Sequence, residues 1–245
     1  MRGSSIPVLV AAAGASSRCP EGKLLKALGD RPLLGWLLEK LVSHPRLGPI
    51  VVVTGGHGPA VATLATGYHG VQVVENLQWA TGLASSLKVG VAALPPEGGF
   101  LIALGDTPLF TLDTLEQILP SGHADRIRVP SYQGRRGHPV FFPEWTRPEW
   151  NELQGDTGAK SLMKRWVGRL VEIPVDDPGI LRDFDQSCDF ERPWDQVEVE
   201  GEFQVESSGD EAAGVTTGPY SGLQRPAARE PLPEIAVQRT EEAIA

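Results

Sequence analysis

The feature that most constrains this chain is a repeated alternation of two kinds of segment. Short β-branched or apolar runs bounded by glycine or proline read as buried strands at 6–12, 49–54, 71–75, 100–104, 126–130 and 170–175. Helical patterns lie between them, at 33–42, 59–65, 83–94, 112–119 and 159–166. Leu33, Leu34, Leu37, Leu38 and Leu41 fall on one stripe of a helix. Regular strand–helix alternation predicts βαβ units. The expected fold is therefore α/β: three layers, doubly wound, with a mainly parallel sheet covered on both faces. Residues 137–142 read as an additional strand or hairpin arm, so the sheet is expected to be mixed. In such sheets ligands bind beyond the carboxyl ends of the strands, so the loops that follow strands carry the functional reading.

Charge divides the chain unevenly. Residues 195–245 hold 11 Asp/Glu against 3 Arg, whereas residues 1–194 hold 20 acidic and 19 basic side chains. The last segment also carries Gly, Pro, Ser and Thr throughout, with too little apolar surface to offset its ordering entropy. We expect a folded domain at 1–194 and a disordered acidic tail at 195–245. The near-neutral body lacks the basic face of a duplex nucleic-acid binder. There is no apolar run of about 18 residues and no signal-type cleavage site. Cys19 and Cys188 form no CxxC pair, and the five histidines make no HExxH. The expectation is a cytoplasmic protein with no membrane or nucleic-acid partner, and neither a zinc hydrolase nor a disulfide scaffold.

The loop after the first strand carries the most distinctive chemistry, Ala11-Ala12-Ala13-Gly14-Ala15-Ser16-Ser17-Arg18-Cys19-Pro20-Glu21-Gly22-Lys23-Leu24. Small residues let successive backbone N–H groups close on an anion, and Arg18 and Lys23 add positive charge. That combination suits a triphosphate, and the bland alternative is a flexible loop with two solvated cations. Gly14 and Gly22 are too far apart for a Walker A loop, Leu24 replaces its Ser/Thr, and GxGxxG is missing.

This loop, with Arg31-Pro32-Leu33-Leu34 after it, resembles the nucleotidyltransferase signature LAAGxSxRMGxxK. More specifically, the chain resembles the molybdopterin nucleotidyltransferases that mature molybdenum cofactor, on the cytidylyl side of that family. The resemblance continues through Glu75-Asn76-Leu77-Gln78-Trp79 and Gly82-Leu83-Ala84-Ser85-Ser86-Leu87, then Leu104-Gly105-Asp106-Thr107-Pro108 and Arg136-Gly137-His138-Pro139. It ends at Gly155-Asp156-Thr157-Gly158-Ala159 and Asp183-Phe184-Asp185, and the tail matches none of it. It implies a Rossmann-like nucleotidyltransferase fold and transfer of a nucleoside monophosphate from an NTP to molybdopterin, releasing pyrophosphate. A recipient molybdenum enzyme is the implied protein partner. Cys19 and Pro20 depart from the usual Met and Gly. Pro20 removes one backbone N–H from the loop, an effect expected on affinity. Cys19 is either a reactive thiol beside Arg18 or a small buried filler.

Asp106 follows an apolar strand and reads either as a helix N-cap or as a metal ligand. A triphosphate site needs a divalent cation, and Mg²⁺ takes one or two carboxylates plus phosphate oxygens and water. The second carboxylate should come from another strand. Asp183 and Asp185 would share one side of a strand, and the resemblance favours Asp185. Asp176 and Asp177 read as turn formers. Arg18, Lys23 and Asp106 are the expected catalytic residues. Ala12, Ala13, Gly14, Ala15, Ser16, Asn76 and Ser85 are expected on the nucleotide together with those two cations. Ser86, His138 and Asp156 are expected on the acceptor. Ser85 and Ser86 could equally cap their helix, and His138 could be a turn histidine before Pro139. Asp156 or Thr157 stands at an expected N-cap. In the resembled family AAG goes with cytidylyl and AGG with guanylyl transfer, so Ala12-Ala13-Gly14 points to CTP over GTP. A guanylyltransferase of the same fold and a non-catalytic maturation chaperone are the competing readings.

Overall fold

The computed structural model describes residues 5–14, 16, 19, 22–122, 124–156, 158–185 and 187–190. Arg18, Ala15, Pro20, Thr157 and the expected tail 195–245 lie outside the described residues. In chain order the elements are β1 (Ile6–Ala12), β2 (Ala27–Leu28), β3 (Arg31–Pro32), α1 (Leu33–Ser43), β4 (Leu47–Thr54), α2 (Gly58–Thr66), β5 (Val71–Glu75) and α3 (Leu83–Ala93). Then come β6 (Phe100–Leu104), α4 (Leu112–Ile118), β7 (Ile127–Tyr132), β8 (Arg135–Arg136), β9 (Val140–Phe142), α5 (Lys160–Arg165) and β10 (Leu170–Pro174). Each expected strand and helix is present to within about two residues at its ends, except that the extra strand expected at 137–142 begins only at Val140.

The main sheet runs β10-β7-β9-β6-β1-β4-β5, with β8 paired to β7. β1 is parallel to both β4 and β6, β4 to β5, and β10 to β7. β9 is the expected extra strand, and it makes the sheet mixed by pairing antiparallel with β6. The chain leaves β1 towards β4 and β5, then returns to β6 on the other side of β1. That reversal opens a crevice past the carboxyl ends of β1 and β6, where an open α/β sheet binds its ligands.

Both faces of β1 are dry, as a central parallel strand requires. Val8, Val10 and Ala12 face one core with the α1 leucines, Val52, Leu101 and Phe110. Leu9 and Ala13 face the other, with Val53, Leu87, Phe100, Phe142 and Trp150. Leu33, Leu34, Leu37, Leu38 and Leu41 are all fully buried, as the helical stripe predicts. Among the described residues no helix is long and apolar enough to cross a membrane.

Local expectations at two places are corrected. Asp183 and Asp185 are not on a strand. After the short 3₁₀ turn Pro178–Leu181 the chain runs irregularly, and Phe184 N–H bonds the backbone oxygen of Asp106 at 3.2 Å. Its partner is a loop rather than a strand, so no ladder forms. Ser85 and Ser86 do not cap α3. Leu83 N–H donates to Asp156 Oδ1 and Ala84 N–H to Gly155 O, so a distant loop caps that helix. Asp156 is therefore spent on α3 and not on its own helix, whose N-cap is Ala159. Thr111 caps α4, accepting from Thr114 N–H, which removes the capping alternative for Asp106.

Candidate active site

Gly105 N–H bonds Ala11 O at 2.9 Å, so the ends of β1 and β6 meet where the sequence places its two richest loops. Between them and α3 lies a cleft of about 500 Å³. Ala12, Ala13, Gly14, Ser16 and Lys23 line one side, Trp79–Leu83 and Ser86 the other, with Asp106 and Asp156 also on its walls. Gly55 lets the loop after β4 pack beneath. A Cβ there would fall 2.6 Å from both Ala13 O and Trp79 Cβ.

The charged corner is tight. Lys23 Nζ donates to Asp106 Oδ2 at 2.6 Å and to Asp185 Oδ1 at 2.7 Å. Burial works against the Lys23 charge, but the Asp106 and Asp185 carboxylates overcome it and raise its pKa above the ordinary value. Asp183 stands close enough that burial, together with the Asp185 and Asp106 charges, raises its own pKa. Two carboxylates from distant parts of the chain thus converge on one cationic point. That donor set fits a hard divalent cation that completes its shell with phosphate oxygens and water. Ser16 Oγ accepts from Lys23 N–H at 3.3 Å, tying the two ends of the described loop together. Cys19 is buried, so the filler reading of that thiol holds.

The opposite wall has no ion pair among the described residues, its Asp156 carboxylate being held on Leu83 N–H, and the Asn76–Ser86 part of it is neutral. Asn76, expected to contact the nucleotide, is only 2% exposed and stands behind the wall instead of in the cleft. Its Oδ1 accepts from Gln78 N–H at 2.9 Å, and its Nδ2 donates to Ser85 Oγ at 2.8 Å and Ser86 Oγ at 2.9 Å. Ser86 lines the cleft, while Ser85 Oγ bonds back to Gly82 O and Gln78 O.

His138 lies on the β6 side, held by its N–H to Ile180 O at 3.0 Å. Its Nδ1 is sealed from solvent with no hydrogen-bond partner among the described residues. Burial pushes its pKa down to about 4. The Asp106 charge opposes that shift and the Lys160 charge adds to it, so the ring is neutral near pH 7.

The sequence reading missed two supporting side chains. Asp177 is more than a turn former. Besides Gly179 N–H at 2.9 Å, its carboxylate accepts Thr111 N–H at 2.7 Å and the Thr114 hydroxyl at 2.6 Å. From the other side Lys40 Nζ donates to Pro108 O at 2.7 Å and to Phe110 O. Burial lowers the Lys40 pKa to about 8 against the pull of Asp177. Asp177 thus clamps the segment after Asp106 onto the segment before Asp185, and Lys40 ties that same segment to α1. The only available signal was a Lys at the polar edge of the α1 leucine stripe.

Residues 8–171 match the MobA-like NTP transferase domain. The chain is 28% identical over 179 residues to nicotine blue oxidoreductase of Paenarthrobacter nicotinovorans, covering 69% of this chain and 87% of the relative. It is 25% identical over 187 residues to the molybdenum cofactor cytidylyltransferase of Escherichia coli, covering 76% and 94%. Among solved structures, Rv0371c of Mycobacterium tuberculosis is 30% identical with a TM-score of 0.66, over 77% of this chain and 97% of that one. A second structure of Rv0371c is a complex with manganese, 28% identical, TM-score 0.57, over 70% and 88%. The family match spans about two thirds of the chain and so takes in β1 to the start of β10: the chain belongs to the MobA-like NTP transferase family and is a nucleotidyltransferase.

Proposed function

We propose that the protein transfers CMP from CTP to the terminal phosphate of a molybdopterin-type pterin and releases pyrophosphate. The observation that carries this reading is the meeting of Lys23, Asp106 and Asp185 beside the Ala12-Ala13-Gly14 loop. The backbone at Ala12, Ala13, Gly14, Ala15 and Ser16, with Lys23 and Arg18, receives the triphosphate. Asp106 and Asp185 would hold Mg²⁺, which would supply Lewis-acid charge neutralisation when bound. An oxygen of the acceptor phosphate attacks the α-phosphorus, and the bond to the bridging oxygen breaks, leaving its electron pair on pyrophosphate. Lys23 neutralises charge on that leaving group. A phosphate monoester is already ionised near neutral pH, so no general base is needed and neutral His138 serves as a contact to the acceptor. Asp156 and Ser86 close the cleft from the α3 side.

Support for CTP comes from Ala13, buried and lining the cleft. Its methyl packs in the core with Leu9, Val53 and Leu87, so it would act by setting how closely the loop backbone approaches the base, where a two-ring purine needs more room. Support for a pterin acceptor comes from the Escherichia coli cytidylyltransferase. The test is pyrophosphate release by purified protein with Mg²⁺, molybdopterin and CTP, GTP or ATP in turn. Release with CTP in excess over GTP is expected. Preference for GTP makes it a guanylyltransferase, and nucleotide binding without release makes it a maturation chaperone.

A further inference from the structure

Asn76 and Ser86 settle between them which way a proton points. The Gln78 backbone N–H can only donate, so the Asn76 side-chain atom facing it at 2.9 Å must be the carbonyl oxygen. The amide nitrogen then faces the two serines, and both of its protons are used, at 2.8 Å on Ser85 Oγ and 2.9 Å on Ser86 Oγ. Ser85 discharges its own proton onto Gly82 O or Gln78 O. Ser86 has no such outlet. The residue is only 3% exposed, its hydroxyl accepts from Asn76 and finds no acceptor for its proton among the described residues, yet Ser86 lines the cleft.

We propose that Asn76 is a positioning residue that fixes the Ser86 hydroxyl as a hydrogen-bond donor into the cleft, so that this wall selects a nucleobase edge presenting an acceptor atom there. This rests on the reading of the cleft as a nucleotide site and assigns the base-side contact to Ser86, with Asn76 acting through it. A hydroxyl normally offers both a donor and lone pairs and tolerates either partner. The Asn76 amide proton occupies one lone pair and bars the hydroxyl proton from that side, and the wall offers that proton no other acceptor; a ligand donor meeting the second lone pair would leave the buried proton unpaired, so an acceptor is favoured.

The test reverses the polarity without changing the shape. In Asn76→Asp one carboxylate oxygen keeps the Gln78 N–H bond, and the other demands the serine protons, so Ser86 turns its lone pairs to the cleft. The probes are α,β-methylene-CTP with Mg²⁺ and inorganic tripolyphosphate with Mg²⁺, titrated calorimetrically. Tripolyphosphate has no base and reports the added charge alone. We expect Asn76→Asp to weaken the CTP analogue about tenfold more than tripolyphosphate, Ser86→Ala to weaken it by a similar factor, and the double variant to add nothing further. Equal losses for both probes, or single-variant losses that multiply in the double variant, overturn the proposal. If Asn76→Asp fails to fold, unchanged analogue affinity in Ser86→Ala overturns it alone. A wild-type protein that binds neither probe removes the nucleotide-site reading itself, which is a separate result.

Discussion

The two walls of the cleft follow opposite electrostatic plans. The corner formed by Lys23, Asp106 and Asp185 is charged and partly wet, with side chains 15%, 22% and 42% exposed. The Asn76–Ser86 wall is neutral and dry. In the corner, ion pairs half-screened by solvent contribute little to folding, so the carboxylates can exchange one cationic partner for another when substrate arrives. In the wall, both Asn76 amide protons are placed before any ligand enters, which leaves the Ser86 proton to the cleft, and rearrangement would strand a buried polar group. On the proposed reading, neutralisation of the transferring group would fall to the side that can be re-paired, and base discrimination to the side that cannot.

Removing a carboxylate from the corner should produce the largest effect and leave folding alone. Asp106→Ala is expected to lower pyrophosphate release roughly a thousandfold, the scale for losing a charge-stabilising group, with little change in melting temperature. Near-native release by the folded variant would remove Asp106 from the chemistry. Asp177→Ala sharpens the contrast by acting on the support instead of the corner. It strands the Thr111 N–H, the Thr114 hydroxyl and the Gly179 N–H around a buried site. Denaturant unfolding should show a loss of about 3 kcal/mol. A loss of activity at undiminished stability would contradict that role.

His138, on the β6 side, tests burial beside the charged corner by pH. The unfolded chain takes up a proton near the ordinary histidine pKa, whereas the folded chain resists until about pH 4. The stability from the neutral ring is thus complete above about pH 6.5 and fades as pH falls towards 4, by about 3 kcal/mol in all. His138→Gln should flatten that part of the stability–pH curve, and an unchanged slope would mean that the ring is not buried in solution. The smallest effect belongs to the Ala13 loop. Ala13→Gly should relax the preference for CTP over GTP by about tenfold, the scale for one methyl-sized group in a pocket. An unchanged ratio in competition assays would move selectivity wholly onto the polar wall.

The fold was legible because it rests on local periodicity. The leucine stripe of α1 and the β-branched runs of β1 and β4 state their own burial, and strand–helix alternation leaves few other architectures. The corner was legible in part. Lys23 and Asp106 follow strands and carry unusual chemistry, while Asp185 came from family resemblance, since its segment has no period to read. What the sequence could not supply was the partner of each polar group. Asn76 reads as a ligand residue until its amide is found fully occupied, Ser85 and Ser86 look alike until one faces the cleft, and Asp177 looks like a turn residue until Thr111 and Thr114 arrive from 66 and 63 residues away. Hydrophobic burial is non-directional and tied to spacing along the chain, so the sequence by itself determined the layers and the strands whose ends form the cleft. Hydrogen bonds are directional and saturable, and their partners are brought together only when the chain closes, so the tertiary structure alone decided which polar side chain faces the substrate and which stands behind it.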